Sequence, residues 1–405
     1  PQEFPIAKLW RQAELALRDL GGAAPRIQAE FSAEIGRPEE SRMDLLVTSA
    51  RNVWRGLAIP SLEIRATMAE GALKLERFRL NLEQGGVEVY GSADLVHGSG
   101  GIEFLGQVDP AKVAPILGPT TAHAFRQFRS SQLPQLSGKL EGRWKGKVDF
   151  FASGELEIGK FSLGPDREQA FLGLRLPWVS DGQRWMIQGF WLKAAEGGAL
   201  TGQMAYDGKA ELKGNVKSDL NLKGLSSLFG RESTNFWNSV KFSQPPLLDF
   251  RILGAGLSPD LIRLEGKLEV KDMVYKNVPF GELSADLVYA SRKENEKNVR
   301  EIRATNVRVT SGGGEGEGSL IYTLDPRFLY FQDVKLTLPV QEFSPVFGDK
   351  VAQALQPYHF LDRPRVTLEG RADLEEKFRT QMTATGVSPK GLRYSVAGKL
   401  LEFSD

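Results

Sequence analysis

Apolar and polar residues alternate with a period of two along much of the chain. Because successive side chains of a β-strand point to opposite faces, this alternation predicts strands with one buried face and one face in water. Glycine is abundant, at 43 of 405 residues, and favours short turns between antiparallel strands. The clearest alternating segments are GELEIGKFSL (154–163), FLGLRLPW (171–178), GKLEVKDMVY (266–275) and DVKLTLPV (333–340), the last with Val334, Leu336 and Leu338 on one side.

One phrase ending in two glycines occurs three times, as LERFRLNLEQGG (75–86), IQGFWLKAAEGG (187–198) and IRATNVRVTSGG (302–313). The first glycines of the pairs lie at 85, 197 and 312, so the copies are 112 and 115 residues apart. A recurrence at a fixed distance is the signature of a repeat protein. The matching positions are the first (Leu75, Ile187, Ile302), the fourth (Phe78, Phe190, Thr305) and the sixth (Leu80, Leu192, Val307).

Other short sequence phrases recur at a similar spacing. The phrases VAPILG, LSSLFG and FSPVFG end at Gly118, Gly230 and Gly348, and each precedes a segment that we interpret as a short helix. Those segments are TTAHAFRQF, RESTNFWNSV and DKVAQALQPY. A proline then opens a new strand, at Pro134, Pro245 and Pro364.

The N-terminal region fits the same scheme. Ile6, Leu9, Trp10, Ala13 and Leu17 have helical spacing, and Pro25 follows them. We therefore expect residues 1–24 to be the helix that closes a preceding repeat. Repeat 1 would span 25–133, repeat 2 134–244 and repeat 3 245–363, and 364–405 would begin a further repeat. The chain then resembles a segment cut from a longer array.

The predicted fold is mainly β. We expect an elongated, curled antiparallel sheet, a β-taco or groove, built from about three repeats of about 112 residues with short helices between them. One helix per repeat is too short to cover the apolar face of about six strands. The sheet could curl so that this face lines a trough, which acyl chains would fill. The alternative is that the face is packed by the protein's own side chains, as in a β-sandwich or filled solenoid.

Composition narrows the possible functions. The chain has 52 Lys plus Arg and 51 Asp plus Glu. The net charge is therefore close to zero, and the chain lacks the strong positive charge that favours binding to nucleic acid. Cysteine is absent, which excludes disulfides and Cys-based metal sites. The chain has no initiator Met, no signal peptide and no apolar run of membrane-spanning length. We expect a mature chain or an excised segment, with any membrane anchor outside it.

The glycine-rich stretch 312–318 invites comparison with a phosphate-binding loop. Glu315 and Glu317 lie between its glycines and would repel a phosphate, and no Lys-Ser/Thr pair follows. Glu83 and Glu196 lie close to the other two glycine pairs. We therefore predict that these glycines permit a positive φ in a hairpin turn or a bulge.

No arrangement typical of catalysis or metal binding emerges. The three histidines, His97, His123 and His359, are far apart, and the acidic residues fall on the polar side of strands. The mixed-charge run 291–301 is interpreted as an exposed hairpin loop, with a lipid-headgroup contact as the alternative. Trp185 and Trp191 fit a core or groove rim better than base stacking, because no basic stripe accompanies them. We expect no cofactor and no metal.

The phrases GGVEVYGSADL (85–95), GGALTGQMAYD (197–207) and GKLEVKDMVYKNVPFGELSADLVY (266–289) resemble the AsmA-like superfamily of double-membrane bacteria, which includes TamB and YhdP. They are also similar to the β-groove unit of bridge-like lipid transfer proteins. The resemblance covers 25–405. It implies a taco-shaped sheet whose hydrophobic groove carries phospholipids between inner and outer membranes, in a periplasmic protein with an inner-membrane anchor.

The sequence therefore predicts a non-enzymatic lipid conduit with phospholipids as partners, and possible inner- and outer-membrane protein partners. The first alternative is a structural β-repeat scaffold or outer-membrane assembly factor that binds proteins through its sheet edges. The second is a β-solenoid enzyme acting on polysaccharide, for which no cluster of acids is evident. The residues predicted to line the groove are Leu75, Phe78, Leu80, Val87, Val89, Ile187, Phe190, Leu192, Leu268, Val270, Ile302, Val307, Val309 and Leu320.

Overall fold

The computed structural model is mainly antiparallel β-sheet and divides into two units, Pro1–Ala195 and Glu196–Asp405. The residues that the structure describes are 20–32, 40, 42–54, 56–113, 128–146, 148–163, 169–209, 211–221, 239–255, 261–294, 297–324, 327–337, 339–347, 352–353, 355–373, 381–396 and 399–403.

The first unit contains thirteen described strands and one short helix, α1, at Pro110–Val113. Its long strands pair in the antiparallel order β2–β3–β4–β5–β6–β7–β9–β10–β12–β13. Of the short strands, β1 pairs with β3, and β11 pairs with both β12 and β8. The strands are β1 Leu20–Gly21, β2 Arg26–Ser32, β3 Arg42–Trp54, β4 Leu57–Ala69, β5 Ala72–Asn81, β6 Gly85–Asp94, β7 Ser99–Val108, β8 Arg129–Ser130, β9 Gln135–Arg143, β10 Asp149–Ile158, β11 Phe161–Leu163, β12 Gln169–Ser180 and β13 Trp185–Ala194.

The second unit contains a helix α2, Val340–Phe343, followed by a 3₁₀ turn, Ser344–Phe347. Its larger ladder is β14–β15–β17–β18–β19–β20–β21–β22–β24–β25, with β16 beside β18, and β23–β26–β27 form a small separate sheet. The strands are β14 Ala199–Tyr206, β15 Leu212–Ser218, β16 Val240–Phe242, β17 Leu247–Gly254, β18 Ile262–Tyr275, β19 Val278–Glu294, β20 Lys297–Ser311, β21 Gly314–Leu324, β22 Arg327–Thr337, β23 Tyr358–Phe360, β24 Arg365–Asp373, β25 Gln381–Val387, β26 Leu392–Val396 and β27 Lys399–Phe403.

The turn prediction for the glycine-rich stretch is confirmed. Gly312 and Gly313 are the two central residues of the β20–β21 hairpin, with φ of 52° and 74°. Two consecutive positive φ values match the right-handed twist of the flanking strands, and glycine adopts them at little cost. The Arg363 guanidinium donates a 2.9 Å hydrogen bond to the Gly312 carbonyl and a second bond to the Gly313 carbonyl. This stretch is therefore a braced hairpin turn.

Strands begin directly after a proline at four places, as the sequence predicts. Arg26, Gln135, Leu247 and Arg365 open β2, β9, β17 and β24, and in the third case the adjacent proline is Pro246 rather than Pro245. Pro246 and Pro364 are fully buried, and Pro134 is buried as well. Proline has no N–H to give to a ladder, so it suits the residue before a strand's first hydrogen bond.

Three strand predictions need correction. Segment 154–163 is interrupted at Gly159–Lys160, between β10 and β11. Segment 333–340 remains a strand only to Thr337, because α2 begins at Val340, and Leu338 lies outside the described residues. The mixed-charge run 291–301 is mostly paired strand, since β19 extends to Glu294 and β20 starts at Lys297. Cross-strand pairing thus carries that hairpin well beyond where its polarity suggests a loop.

The helix predictions fall largely outside the described residues. Ile6, Leu9, Trp10, Ala13 and Leu17 lie there, as does most of TTAHAFRQF and RESTNFWNSV. Leu20–Gly21 pair with β3 as a strand, so a helix extending to residue 24 is wrong. In DKVAQALQPY, Ala352 and Gln353 are helical, and the Gln356 N–H donates to the Ala352 carbonyl at 3.2 Å. The sequence did not predict α2.

A small hydrophobic cluster forms where α2 meets the ends of two strands in the second unit. Phe343 and Val278 are buried, with 5% and 3% of their surfaces exposed, and Leu336 and Val346 pack against them. The rings of Phe280 and Phe343 meet edge to face, with 5.3 Å between centroids. The helix therefore covers one end of the sheet and leaves the rest of its face uncovered by this contact.

Candidate functional site

Cross-strand register decides which side chains share a face of the first unit's sheet. Residues that are directly opposite in neighbouring strands point to the same side. One face of the sheet from β2 to β12 is apolar throughout its central rows. Two such rows are Val47–Ile64–Phe78–Val89–Phe104–Gly138–Gly154–Trp178 and Leu45–Ala66–Leu75–Gly91–Ile102–Leu140–Ala152.

The second unit's sheet shows the same division. Its apolar rows run from β14 to β25, while the opposite face carries lysine, arginine, aspartate, glutamate and threonine. Two apolar rows are Gly202–Val216–Phe250–Gly266–Leu287–Ala304–Leu320–Phe331–Gly370–Met382 and Leu200–Ser218–Leu248–Leu268–Ala285.

In the first unit, β-bulges keep the apolar residues in phase where the sequence departs from a period of two. Leu75 is opposite Gly91 and Phe78 is opposite Val89, so Glu76 and Arg77 both face Tyr90. An extra residue in one strand restores the face that a strict alternation would lose. The repeated phrase therefore places its first, fourth and sixth residues on one side.

The second and third copies of the phrase contain bulges as well. In β13, Ile187 is opposite Trp178 and Leu192 is opposite Leu174, with Gly189 between them at a φ of 64°. In β20, the bulge lies at Thr305–Asn306, two residues later than in the other copies. Thr305 is therefore the one residue of the aligned fourth positions that does not lie on the apolar face.

All fourteen residues predicted to line a groove lie on the apolar faces. Phe190, two residues before Leu192, shares its side of β13, and the others follow from direct cross-strand pairing. The cross-strand register shows that these residues share one face within each unit, which the sequence alone leaves open. Other members of these faces were not predicted from the sequence, including Val47, Ile64, Ile102, Phe104, Leu136, Leu140, Phe250, Leu264, Leu287 and Val366. Tracing alternation outward from each matched position could have found them.

Much of this apolar surface is open to solvent. Ile102, Leu136 and Phe150 expose 38%, 42% and 42% of their surfaces, and Ile302 exposes 36%. A side chain beneath a packed second layer would be nearly inaccessible, so no described part of the chain covers these positions. Phe190 and Val270 are nevertheless buried, at 7% and 6% exposed. The face is partly closed in places and open in others.

The opposite face is polar and carries ion pairs, some between neighbouring strands and some within one strand. Arg175 forms two hydrogen bonds of 2.8 Å with the Glu155 carboxylate, and these bonds lower the pKa of Glu155. The hydrogen bond from Lys139 to Glu141, at 2.7 Å, raises the pKa of Lys139. Such pairs are typical of a solvated surface and contribute little to stability.

The larger depressions of the described surface lie mainly over this polar face. One of about 910 Å³ is lined by Glu103, Lys139, Glu141 and Arg143 among other residues, and one of about 550 Å³ by Arg308, Glu315 and Lys335 among others. Val309 is the predicted groove residue that contributes to the second. The predicted residues therefore form an open apolar surface rather than the wall of these depressions.

The remaining candidates for chemistry stay apart. His97 Nδ1 lies 2.7 Å from an Asp94 carboxylate oxygen on an exposed turn, His359 lies in β23, and His123 lies outside the described residues. Within the described ranges, His, Asp and Glu nowhere gather in a group that could hold a metal ion. None of the helices among the described residues has the length and apolar character needed to span a membrane.

Comparisons with protein-family models, with curated proteins and with solved structures found no match to this chain. A function must therefore be inferred from the apolar and polar faces of the two sheets.

Proposed function

We propose that this protein is a non-enzymatic lipid-binding conduit whose apolar sheet faces hold the acyl chains of phospholipids. The observation that carries the proposal is the uninterrupted apolar face of each unit's sheet, with large side chains that remain accessible. Each Leu-sized side chain left in water forgoes roughly 1.5–3 kcal/mol of burial free energy. An acyl chain lying along the face would bury many of these side chains at once.

The arrangement favours sliding along a surface over binding in one pocket. The apolar rows cross every long strand of each ladder and offer similar contacts at successive positions. Transport requires that a ligand leave each position as readily as it enters. Headgroups would remain at the wet strand ends, since burying a charged group in an apolar site is costly.

The bulges support a curled form of the sheet. Bulges bend the strand that contains them and increase its twist. In the second unit they follow one another across β19, β20, β21, β22 and β24. Curling towards the apolar face would turn it into a trough. Six long strands lie between successive strand-opening prolines of the described chain, which supports about three repeats.

The resemblance to AsmA-like proteins gives this proposal its biological setting. The chain would be a segment of a periplasmic protein that moves phospholipids between the inner and outer membranes, with an inner-membrane anchor elsewhere in the full-length protein. The phrases GGVEVYGSADL and GKLEVKDMVY, which carry the resemblance, form β6 and β18 of the apolar ladders.

The test is organic extraction of the purified protein followed by mass spectrometry of the extract. We expect phospholipid to co-purify with the wild-type chain. A variant with Leu80→Asp, Leu192→Asp and Val307→Asp should lose most of it, because each carboxylate enters the apolar face. The same variant should also no longer photo-crosslink to phospholipids in cells.

The matched control places three carboxylates one residue away on the polar face, as Arg79→Asp, Lys193→Asp and Arg308→Asp. This control should retain lipid if the apolar face binds it. A lipid-free wild-type protein, or equal lipid loading of both folded triple variants, would contradict the proposal.

A second candidate function is a β-repeat scaffold or outer-membrane assembly factor that binds proteins through its sheet edges. The observation in its favour is β25, in which all seven residues are exposed and β24 is the one paired neighbour among the described residues. Its sequence, QMTATGV, lacks the charges and prolines that usually protect an edge strand. A lipid-free sample whose binding to envelope proteins is lost on Thr385→Pro would favour this alternative.

A further inference from the structure

Glycines on the apolar faces are paired with large side chains of the neighbouring strands. Gly138 is directly opposite Phe104, Gly142 is opposite Phe150, and Gly154 is opposite Trp178. In the second unit Gly316 lies between Val309 and Leu336. Further pairs of the same kind are Gly91–Ile102, Gly214–Met204 and Gly266–Phe250.

In these pairs the large side chain occupies the space above the glycine. A β-carbon placed on Gly138 would lie 2.5 Å from Cζ of Phe104, and one on Gly154 would lie 2.6 Å from Cζ2 of Trp178. A β-carbon on Gly142 would lie 2.5 Å from Cε1 of Phe150. These separations are shorter than van der Waals contact. Each ring therefore packs directly against the glycine backbone, in space that the β-carbon of any other residue would occupy.

The position of Phe150 shows the consequence. Its ring covers Gly142, yet 42% of its surface is exposed. The ring therefore lies along the sheet with one side towards the backbone and another towards solvent. A side chain in this position adds apolar area and projects little above the strands.

We propose that these glycines are positioning residues of the lipid-binding face. They seat large side chains flat across the neighbouring strand, and so keep the space above the sheet clear for acyl chains. This inference rests on the proposed function. It explains why glycine recurs inside strands, where it weakens the strand by leaving no side chain to pack.

Two glycines are suited to a test because side chains are the nearest obstacles there. At Gly142 the next backbone atom is Asp149 O at 3.3 Å, and at Gly316 it is Lys335 O at 3.7 Å. Gly106 and Gly386 are matched controls on the same faces. A β-carbon would meet nothing nearer than 3.6 Å at Gly106 and 3.9 Å at Gly386.

The experiment measures binding of the 405-residue chain to a phospholipid bearing a nitrobenzoxadiazole group on its acyl chain, supplied in phosphatidylglycerol vesicles. We expect Gly142→Ala and Gly316→Ala to weaken binding at least about fivefold, because Phe150 and Leu336 must rise from the sheet. Gly106→Ala and Gly386→Ala should bind within about twofold of wild type. Circular dichroism and thermal unfolding identify any variant that fails to fold.

A rescue distinguishes obstruction from general destabilisation. Adding Phe150→Ala to Gly142→Ala removes the displaced ring and should restore most of the binding, although it also removes apolar area. Equal binding by Gly142→Ala and Gly106→Ala, or a double variant that binds as weakly as Gly142→Ala alone, would contradict the positioning role of the glycines. Neither result would contradict the proposed lipid-conduit function. Absence of binding by the wild-type chain would overturn the conduit itself.

Discussion

Ile302 and Val307 project from the same face of β20 although they are five positions apart, a spacing that would put them on opposite faces of a regular strand. Ile302 is opposite Tyr322 and Val307 is opposite Gly318, because Thr305 and Asn306 together face Ser319 alone. Asn306 adopts a φ of 51°, and its side-chain amide donates a 2.7 Å hydrogen bond to Asp286. This bulge keeps both halves of the strand apolar on one side.

Deleting Asn306 should therefore move Val307 and Val309 to the polar face, or force β20 out of register with β21. We expect the free energy of unfolding of the protein to fall by about 2–4 kcal/mol, since a one-residue slip exchanges the faces of a strand. Urea denaturation followed by circular dichroism measures it.

Asn306→Gly is the matched control for this deletion. It keeps the residue count and the positive φ, and should cost only about 1 kcal/mol through the lost hydrogen bond. If the deletion is no more destabilising than this substitution, the bulge does not set the register.

Phe343→Ala should destabilise the second unit. Phe343 is 5% exposed and packs against Val278 and Phe280, so its truncation leaves a cavity at the end of the sheet. The expected loss is about 3 kcal/mol in the free energy of unfolding, measured by urea denaturation. Phe343→Leu retains most of the volume and should cost less than about 1.5 kcal/mol. Similar losses for the two variants would show that the cluster does not close around the ring.

The acid sensitivity of the fold should depend in part on Asp181. Its carboxylate accepts hydrogen bonds from the backbone N–H groups of Arg184 and Gln183, at 2.7 and 3.0 Å, and these lower the pKa of Asp181. A lowered folded-state pKa means that this stabilisation is present above the ordinary aspartate pKa, near 4, and is lost as the pH falls below it. Stability measured against pH should therefore fall less steeply below about pH 4 in Asp181→Asn.

The control for this prediction is Arg184→Ala, which preserves the backbone N–H that contributes most. The stability of this variant should fall with decreasing pH as steeply as that of the wild type, because the side-chain charge of Arg184 is a smaller cause of the lowered Asp181 pKa. An Asp181→Asn variant whose stability declines as steeply with acid as the wild type would contradict the prediction. Urea midpoints at several pH values measure both variants.

Local pattern was enough to predict the class of fold and some of the residues of the apolar faces. A period of two is a property of extended backbone, so alternation in segments such as FLGLRLPW and GKLEVKDMVY predicts half-buried strands without knowledge of their partners. Likewise the paired glycines at 312 and 313 predict a turn, because few other residues adopt two successive positive φ values.

Tertiary structure decided what depends on pairing between strands. The run 291–301 is polar enough for a loop, yet cross-strand hydrogen bonds extend β19 and β20 through it. The helix α2 forms where Phe343 packs on Val278, a contact between residues distant in sequence. Which residues of neighbouring strands share a face, and where a bulge changes the alternation, follows only from the register between strands. The sequence thus determined that one side of each strand is apolar. Strand pairing determined that these sides join into continuous faces, because register depends on two segments at once and cannot be read from either one alone.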